Sequence, residues 1–442
     1  MRRSLLLGVV TALAVVAAPT LTGSAQAAPT AVAAAPAAAS PAAPTMVTAP
    51  SAVAAADPWL VGTFQPMYRP ARLFDSRGGS FGRPLSAGET VNVKVAGRGE
   101  VPARGLSAAV LNLTVTQPSR SGNIAAVARG RSASGTSSLN FVAGDTRANL
   151  VTVPLDAEGW VSVRNNGTGT VHVIVDIEGF YLDGSSWDPG AGLDFFPLGS
   201  QRVLDTRGSA PVSPDATRTV AVRLANLSLS NSTAALAVTV TVVRPSSNGF
   251  LALWDGINYP QTSYLNYREG ETTTNAGVVP VFTPVDDLYT RYIDISVFGG
   301  TAVDVIVDVN GAYSAAESGG LIYRPASSPQ RIVDTRTGRG TTTLGAADTN
   351  WVQAPSTAAP AGTRAVCANV TAVAPTASTY LSLWAYGASR PTGSNLNPAA
   401  GQTVAGFAVI PVSQGRFNIY NNSGRTDVLV DAVGRFEPHP VR

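Results

Sequence analysis

The sequence predicts an all-β protein made of three tandem antiparallel β-sandwich or barrel-like modules. β-Branched runs such as Val91–Val95 and Val171–Ile177 are separated by Gly, Asn, Asp and Pro at spacings typical of short strands and turns. The six residues Arg72–Arg77 recur as Arg202–Arg207 and again as Arg331–Arg336. No stretch after residue 60 sustains a helical period, so we expect helices only as short turns.

Further landmarks recur in the same order within each copy. A Ser-x-Leu-Asn segment lies in the interior, and a Val-Asp-x-x-Gly segment closes the copy. The repeat period is close to that of a whole domain and too long for a solenoid turn. We therefore expect modules at 64–184, 193–316 and 321–438. The closing segments are Val175–Gly179, Val307–Gly311 and Val430–Gly434, followed by the aromatic residues Phe180, Tyr313 and Phe436.

The N-terminal segment has the order of a secretory signal. Two arginines precede an apolar run, and Ala25–Ala27 offers a small-x-small cleavage site. We expect residues 1–27 to be a signal peptide and the Ala/Pro-rich residues 28–63 to be an unpacked linker. With no cysteine at the cleavage site and no apolar C-terminal segment, the expected product is extracellular. It is released or associated with the cell wall without a covalent anchor, and its mature form does not enter a membrane.

Composition argues against several classes of function. The 31 Lys and Arg nearly balance the 28 Asp and Glu, and basic residues are not clustered, so nucleic acid is not an expected partner. One cysteine and two histidines argue against a disulfide framework and against Cys- or His-rich metal sites. Because no catalytic or phosphate-binding motif is found, we expect no enzyme activity, no cofactor and no metal. A calcium site on the recurring carboxylates is the disfavoured alternative, since no dense acidic loop is present.

The recurring charged residues allow two interpretations. In the first, they form structural ion pairs: an aspartate inside an apolar run needs a partner, and the opening arginines are the natural candidates. In the second, Arg77, Arg207 and Arg336 clamp an anionic ligand. We favour the first and expect the opening aspartates to be mostly buried beside an arginine. The residues concerned are Arg72, Asp75, Arg77 and Asp176 in module 1, Arg202, Asp205, Arg207 and Asp308 in module 2, and Arg331, Asp334, Arg336 and Asp431 in module 3.

Two tryptophans are the candidates for a ligand-binding surface. Trp254 and Trp384 occupy the same position in modules 2 and 3, where module 1 has Val127. Together with Asp255 and Tyr386 they would supply the flat rings and polar groups that a sugar-binding surface needs. This interpretation requires both indoles to present a face to solvent. The alternative is a core role, in which each indole N–H needs a buried partner.

Cys367 is expected to be a buried and unreactive thiol. Its segment aligns with the other modules so that Cys367 corresponds to Leu111 and Val238, which are aliphatic. A thiol in such a position behaves as a small apolar side chain.

The combined motifs resemble a tandem repeat of secreted actinobacterial proteins. The resemblance rests on the Arg-Φ-Φ-Asp-Ser/Thr-Arg opening, on Asn-x-Thr at Asn112–Thr114 and Asn369–Thr371, on Ser-x-Leu-Asn and on the closing motif, and it covers residues 64–438. In that family the module stands in tandem or is appended to secreted hydrolases and cell-wall enzymes, which implies an accessory or surface-binding role. The chain departs from the pattern at Thr239, where the other modules have asparagine, and at Val127.

These observations lead to one hypothesis and two alternatives. The expected function is that of a secreted, non-catalytic protein that binds cell-wall or extracellular polysaccharide through its repeated modules. The first alternative is a structural or adhesive cell-surface protein without a small ligand. The second is an unrecognised secreted hydrolase, which is disfavoured because no set of catalytic residues is evident.

Overall fold

The computed structural model describes residues 57–133, 135–185, 192–315 and 318–440. The expected signal peptide and most of the expected linker lie outside the described residues. The last part of that linker, residues 57–63, is not an unpacked spacer. Its Gly62 N–H donates to the carbonyl of Leu182 in module 1, and its carbonyl accepts from the N–H of Tyr323 in module 3. Composition does not predict this, because a few backbone bonds and one half-buried leucine, Leu60, suffice to hold a short segment.

The prediction of an all-β fold is confirmed. The described residues form 23 strands, and their only helical segments are two short 3₁₀ turns, Leu224–Leu227 and Thr335–Thr337. All strand pairs within the sheets are antiparallel. Each repeat of the sequence corresponds to one module of two packed sheets, which we call its inner and outer sheets.

Module 1 is a sandwich of two four-stranded sheets. Its strands are β1 (Phe64–Asp75), β2 (Thr90–Lys94), β3 (Leu106–Thr116), β4 (Gly122–Ala128), β5 (Leu139–Phe141), β6 (Thr146–Pro154), β7 (Trp160–Asn165) and β8 (His172–Leu182). The inner sheet has the order β1-β8-β3-β6 and the outer sheet the order β2-β7-β4-β5. Apolar side chains from both sheets, such as Leu111 and Val161, form the core between them.

Module 2 repeats this plan. Its strands are β9 (Asp194–Asp205), β10 (Thr217–Arg223), β11 (Thr233–Val243), β12 (Gly249–Trp254), β13 (Leu265–Tyr267), β14 (Thr273–Pro280), β15 (Thr290–Gly299) and β16 (Asp304–Ser314). The inner strands follow the order β14-β11-β16-β9, and the outer sheet has the order β10-β15-β12-β13.

Module 3 has one strand fewer. Its strands are β17 (Leu321–Asp334), β18 (Thr349–Gln353), β19 (Ala365–Val373), β20 (Leu381–Ala385), β21 (Val404–Pro411), β22 (Arg416–Asn421) and β23 (Asp427–Pro438). The inner strands follow the order β17-β23-β19-β21, and the outer sheet has the order β18-β22-β20. Where modules 1 and 2 have β5 and β13, module 3 makes only an isolated bridge between Leu381 and Leu396.

The three inner sheets pack against one another. The pairing of Leu321 with Phe195 joins the inner sheets of modules 2 and 3 into one eight-stranded sheet. Because an inner sheet is covered on both faces, residues 108–116 of β3 are buried without alternation. The side chains between the inner sheets form a central core. It consists of Phe64, Ala108, Val110, Leu150 and Tyr181 from module 1, Phe195, Ala235, Ala237, Val278 and Tyr313 from module 2, and Leu321, Tyr323, Ala365, Cys367, Phe407 and Phe436 from module 3.

Cys367 is buried in this central core, and its alignment needs correction. Cys367 pairs with Gly434 as Val110 pairs with Gly179, so its counterpart in module 1 is Val110 and not Leu111. The same shift of one residue makes Tyr181, and not Phe180, the counterpart of Tyr313. In a strand, a slip of one residue moves a side chain to the opposite face. Cys367 therefore faces the neighbouring modules and not the core of its own module.

Candidate functional site

The opening arginine and the closing aspartate of each module bind each other across the inner sheet. Arg72 pairs with Asp176 in the register of β1 and β8, and its Nε and Nη2 donate to the two carboxylate oxygens at 2.9 and 3.2 Å. The corresponding distances are 3.0 and 3.2 Å for Arg202 and Asp308, and 2.9 and 2.8 Å for Arg331 and Asp431. All three of these aspartates are buried. A bidentate bond of this kind offsets part of the cost of burying the carboxylate, and in module 1 burial still raises the pKa of Asp176.

The second arginine of each opening motif is already bonded to the aspartate before it. Arg77 donates from Nε and Nη2 to Asp75 at 2.9 and 2.7 Å. Arg207 bonds Asp205, and Arg336 bonds Asp334, in the same way. The hydrogen bonds from these arginines hold the pKa of Asp75 and of Asp205 at about 2. Two of the donors that a ligand clamp would use are thus occupied in each module.

The expectation of burial holds for only one of these opening aspartates. Asp334 is buried, whereas Asp75 and Asp205 are half-buried. The sequence does not predict this difference, because the local motifs of the three aspartates are nearly identical.

The structure corrects the expectation that Trp384 presents a face to solvent. Its side chain is only 8% exposed, and its Nε1 donates to the carbonyl of Ala388 at 2.8 Å. This is the core arrangement, with a satisfied indole N–H. Trp254 is half-buried and meets the ring of Tyr259 edge-on at 5.0 Å. The two equivalent tryptophans therefore do not share one role.

Asp255 organises a turn and is not free to bind a sugar. It is buried, and its Oδ1 accepts from the backbone N–H groups of Ile257 and Asn258 at 2.9 and 2.7 Å. Its Oδ2 accepts from the side chain of Asn258 at 2.8 Å. A carboxylate with these three donors shapes the loop that carries Tyr259.

Tyr386 lies beside an exposed tryptophan that sequence reasoning missed. Trp351 on β18 is 54% exposed and Tyr386 is 42% exposed, with ring centroids 6.0 Å apart. The guanidinium of Arg416 lies 5.6 and 5.7 Å from the two rings, and its Nε donates to Gln353. We call these four residues the module 3 platform. The alternation in β18, where Val352 is buried, was the signal that placed Trp351 on the outer face.

A second group of aromatic rings lies on the outer sheet of module 2. Phe250 and Phe298 are paired in the register of β12 and β15 and stack at 4.6 Å. Tyr259 lies 6.5 Å from Phe298 and contacts Trp254. We call these four residues the module 2 platform. It exists because Phe250 and Trp254 alternate along β12 with Leu251 and Leu253, which are buried in the module core.

The equivalent face of module 1 does not present a group of exposed aromatic rings among its described residues. Val127 is buried with Ala125 and Ala133, and the ring of Trp160 is flanked by Lys94 and Arg129 at 5.2 and 5.1 Å. Among residues 57–133, 135–185, 192–315 and 318–440, no group of three or more His, Cys, Asp or Glu side chains is arranged to hold a metal ion. Over the same ranges, no helix has the length and apolar character needed to cross a membrane.

Comparison with known proteins gives little similarity. No family model matches the chain, and no curated protein matches it. Among solved structures, 85% of the chain aligns with 91% of an archaeal virus protein that has a triple jelly roll fold, at 9% identity and a TM-score of 0.16. A protein of Sulfolobus turreted icosahedral virus aligns over 86% of this chain and 92% of its own length, at 9% identity and a TM-score of 0.17. The tandem CBM22 domains of Paenibacillus barcinonensis Xyn10C align over 55% of this chain and 100% of their own length, at 9% identity and a TM-score of 0.16. At these TM-scores the alignments carry no argument about function.

Proposed function

We propose that this is an extracellular, non-catalytic protein that binds cell-wall or other insoluble polysaccharide through the platforms of modules 2 and 3. The observation that carries the proposal is the exposure, side by side, of Trp351 on the outer strand β18 and Tyr386 in the turn after β20, at 54% and 42%. Large rings on a rigid sheet cost solvation free energy unless a ligand covers them, and neighbouring rings of this kind mark interaction sites.

The chemistry of the module 3 platform suits a saccharide. The apolar face of a sugar ring stacks on an aromatic ring, while its hydroxyls need hydrogen-bond donors and acceptors nearby. Arg416 and Gln353 supply both kinds of group next to Trp351 and Tyr386. Because Trp351 lies on β18 and Tyr386 directly follows the last residue of β20, the surface is preorganised for binding.

The charged residues support a binding role over hydrolysis. A glycosidase needs two carboxyl groups flanking the scissile bond, one of them able to donate a proton. The recurring aspartates of this chain are instead bonded to arginines, and Asp255 is bonded within its turn. The signal-like N-terminal segment supports an extracellular location.

A sedimentation assay tests the proposal. The mature protein is incubated with purified cell wall, cellulose and chitin, and the fraction that sediments is measured against concentration. We expect the wild type to sediment with at least one of these, and Trp351→Ala or Tyr386→Ala to lower the affinity roughly tenfold. Tyr289→Ala is the matched control, since Tyr289 is 65% exposed but lies outside both platforms. Equal retention of all four proteins, or no sedimentation of the wild type, contradicts the proposal.

A further inference from the structure

The modules meet at three interfaces, which we call seams. In two of them, a pair of asparagines forms a hydrogen bond from one module to the other. Between modules 1 and 2, Asn275 Nδ2 donates to Asn112 Oδ1 at 3.1 Å. Between modules 3 and 1, Asn149 Nδ2 donates to Asn369 Oδ1 at 3.1 Å. Each pair is buried and also bonds backbone groups of both modules, such as the carbonyl of Tyr264. A satisfied polar pair of this kind fixes how two modules fit together.

The seam between modules 2 and 3 lacks this pair. Thr239 is equivalent to Asn112, because it pairs with Asp308 in the sheet as Asn112 pairs with Asp176. Gly406 is equivalent to Asn149, because it pairs with Val370 as Asn149 pairs with Leu113. Gly406 has no side chain to donate, and Thr239 accepts from Asn310 of its own module at 2.7 Å. Both departures from the repeat therefore fall on one seam.

An open cleft of about 610 Å³ runs along this seam. One wall is the end of β11 with the nearby Arg207, and the other is the loop of module 3 around Asn397. The modules meet beside it through Asn397 Nδ2, which donates to Thr274 Oγ1 at 2.6 Å. The volume lies within the range of sites that hold small ligands or short segments of a polymer.

The cleft carries an uncompensated positive charge. Arg244, at the end of β11, is exposed and has no hydrogen bond or ion pair within the described residues. Arg207 lines the same cleft but is ion-paired with Asp205 at 2.6 Å, so the uncompensated charge is that of Arg244. The carboxylate in the lining, Glu271, is bonded to Arg147 at 2.9 Å and lies 3.8 Å from Arg268, so its charge is balanced elsewhere.

We propose that this cleft binds a segment of an anionic saccharide chain, one whose sugars or linkers carry carboxylate or phosphate groups. Arg244 contacts the anionic group, and the guanidinium fork fits either carboxylate or phosphate. Asn397 donates from Nδ2 to Thr274 and Ser394, so its Oδ1 accepts from a saccharide hydroxyl. The hydroxyl groups of the lining bond further saccharide hydroxyls, and the ring of Tyr380 offers a stacking surface. This site is separate from the two platforms and does not depend on them.

Isothermal titration with defined soluble probes tests the cleft. The probes are a short oligogalacturonate, which carries carboxylates, an oligomeric glycerol phosphate, which carries phosphates, and a neutral cello-oligosaccharide of the same length. We expect at least one anionic probe to bind, more weakly as salt is raised, and the neutral probe to bind much less. The anionic probe that binds identifies the group recognised. Binding of neither anionic probe, or equal binding of the neutral one, overturns the proposal.

A substitution at Arg244 ties the binding to the cleft. Arg244 has a left-handed backbone, with φ of 38°, and module 1 has Gln117 at the equivalent position with φ of 52°. Arg244→Gln is therefore compatible with the fold, and an unchanged unfolding temperature checks this. We expect it to weaken binding of the anionic probe roughly tenfold or more. Arg218→Gln is the matched control, because Arg218 is exposed on the outer sheet of module 2. Full binding by Arg244→Gln, or equal losses in both variants, contradicts the assignment.

Discussion

At the residue scale, each module depends on one arginine that bridges its two ends in sequence. Arg72 bonds Asp176 from the closing motif, 104 positions away, and Asp75 from its own motif. Asp176 is buried, whereas Asp75 is half-buried and shared with Arg77. The two aspartates therefore differ in their own burial, while Arg72, which binds both, is partly exposed to solvent.

Replacing these aspartates should separate the two contributions. Asp176→Ala is expected to lower the free energy of unfolding by roughly 2–3 kcal/mol, because the bidentate bond is lost while Arg72 stays partly solvated and bonded to Asp75. Asp75→Ala is expected to cost about 1 kcal/mol or less, since water replaces much of what is lost. Urea denaturation of the full chain measures both. Equal costs would show that burial of the carboxylate is not what distinguishes the pair.

At the element scale, an aromatic ring from the first strand of each module packs directly on the glycine of the closing motif. A Cβ added to Gly179 would lie 2.2 Å from Cζ of Phe64, and one added to Gly434 would lie 2.2 Å from the hydroxyl of Tyr323. In module 2, Gly311 is covered by Phe195 in the same way. The glycine of the closing motif is required because an aromatic ring of the first strand lies directly on it.

The seam between modules 1 and 2 contains a buried carboxyl. Glu178 Oε2 accepts from the backbone N–H of Val278 at 3.1 Å, and burial raises the pKa of Glu178 to about 8. Tyr264 and Trp254 line the same small cavity, which has room for about one water, and within the described residues their hydroxyl and indole N–H have no partner. The equivalents of Glu178 are Asn310 and Val433, which do not titrate.

This carboxyl predicts a pH dependence with a definite sign. Below its usual pKa of 4.5, Glu178 is protonated in the folded and the unfolded chain, so its burial costs nothing extra. As the pH rises toward about 8, only the unfolded chain releases the proton, and stability falls by at most about 5 kcal/mol. Glu178→Gln should remove this loss while keeping the bond from Val278. The free energy of unfolding, measured from pH 5 to about pH 8, checks this prediction. Glu100→Gln, at an exposed position, is the control. Parallel pH profiles for the wild type and Glu178→Gln would contradict the prediction.

At the scale of the whole molecule, the three modules share the central core and form one compact body. Phe436 of module 3 stacks on Phe195 of module 2 at 4.2 Å and lies 6.2 Å from Tyr181 of module 1. Tyr181 in turn bonds the hydroxyl of Tyr313 at 2.7 Å. Because each module buries part of its inner sheet only against the others, unfolding one exposes the apolar faces of its neighbours.

Unfolding should therefore be cooperative across the modules. We expect Phe436→Ala to lower the free energy of unfolding by roughly 3–5 kcal/mol and to shift the transition of all three modules together. Single-tryptophan variants that retain Trp160, Trp254 or Trp384 report on each module in turn. Phe282→Ala, at a partly exposed position of module 2, serves as the control with a small expected effect. A shift confined to the Trp384 signal would show that the modules unfold independently.

Much of this architecture is determined by local sequence. Period-two alternation and turn residues predict strands, and recurrence of the Arg-Asp motifs predicts three copies of one module. The need of a buried aspartate for a partner also predicts that the two ends of a module meet, as Arg72 and Asp176 do. These inferences rest on local sequence patterns or on the cost of an unpaired buried charge. They therefore do not require knowing which side chains from other modules pack against a given strand.

The tertiary structure alone decided which faces are covered and by what. Trp254 and Trp384 have the same position in their strands, yet the loop that supplies Ala388 buries one, and Tyr259 packs on the edge of the other. Cys367 faces neighbouring modules because a register difference of one residue turns it away from its own module. Alternation of apolar and polar residues along a strand predicts which side chains share one face of the sheet. It does not predict what packs against that face, because burial depends on residues far away in sequence.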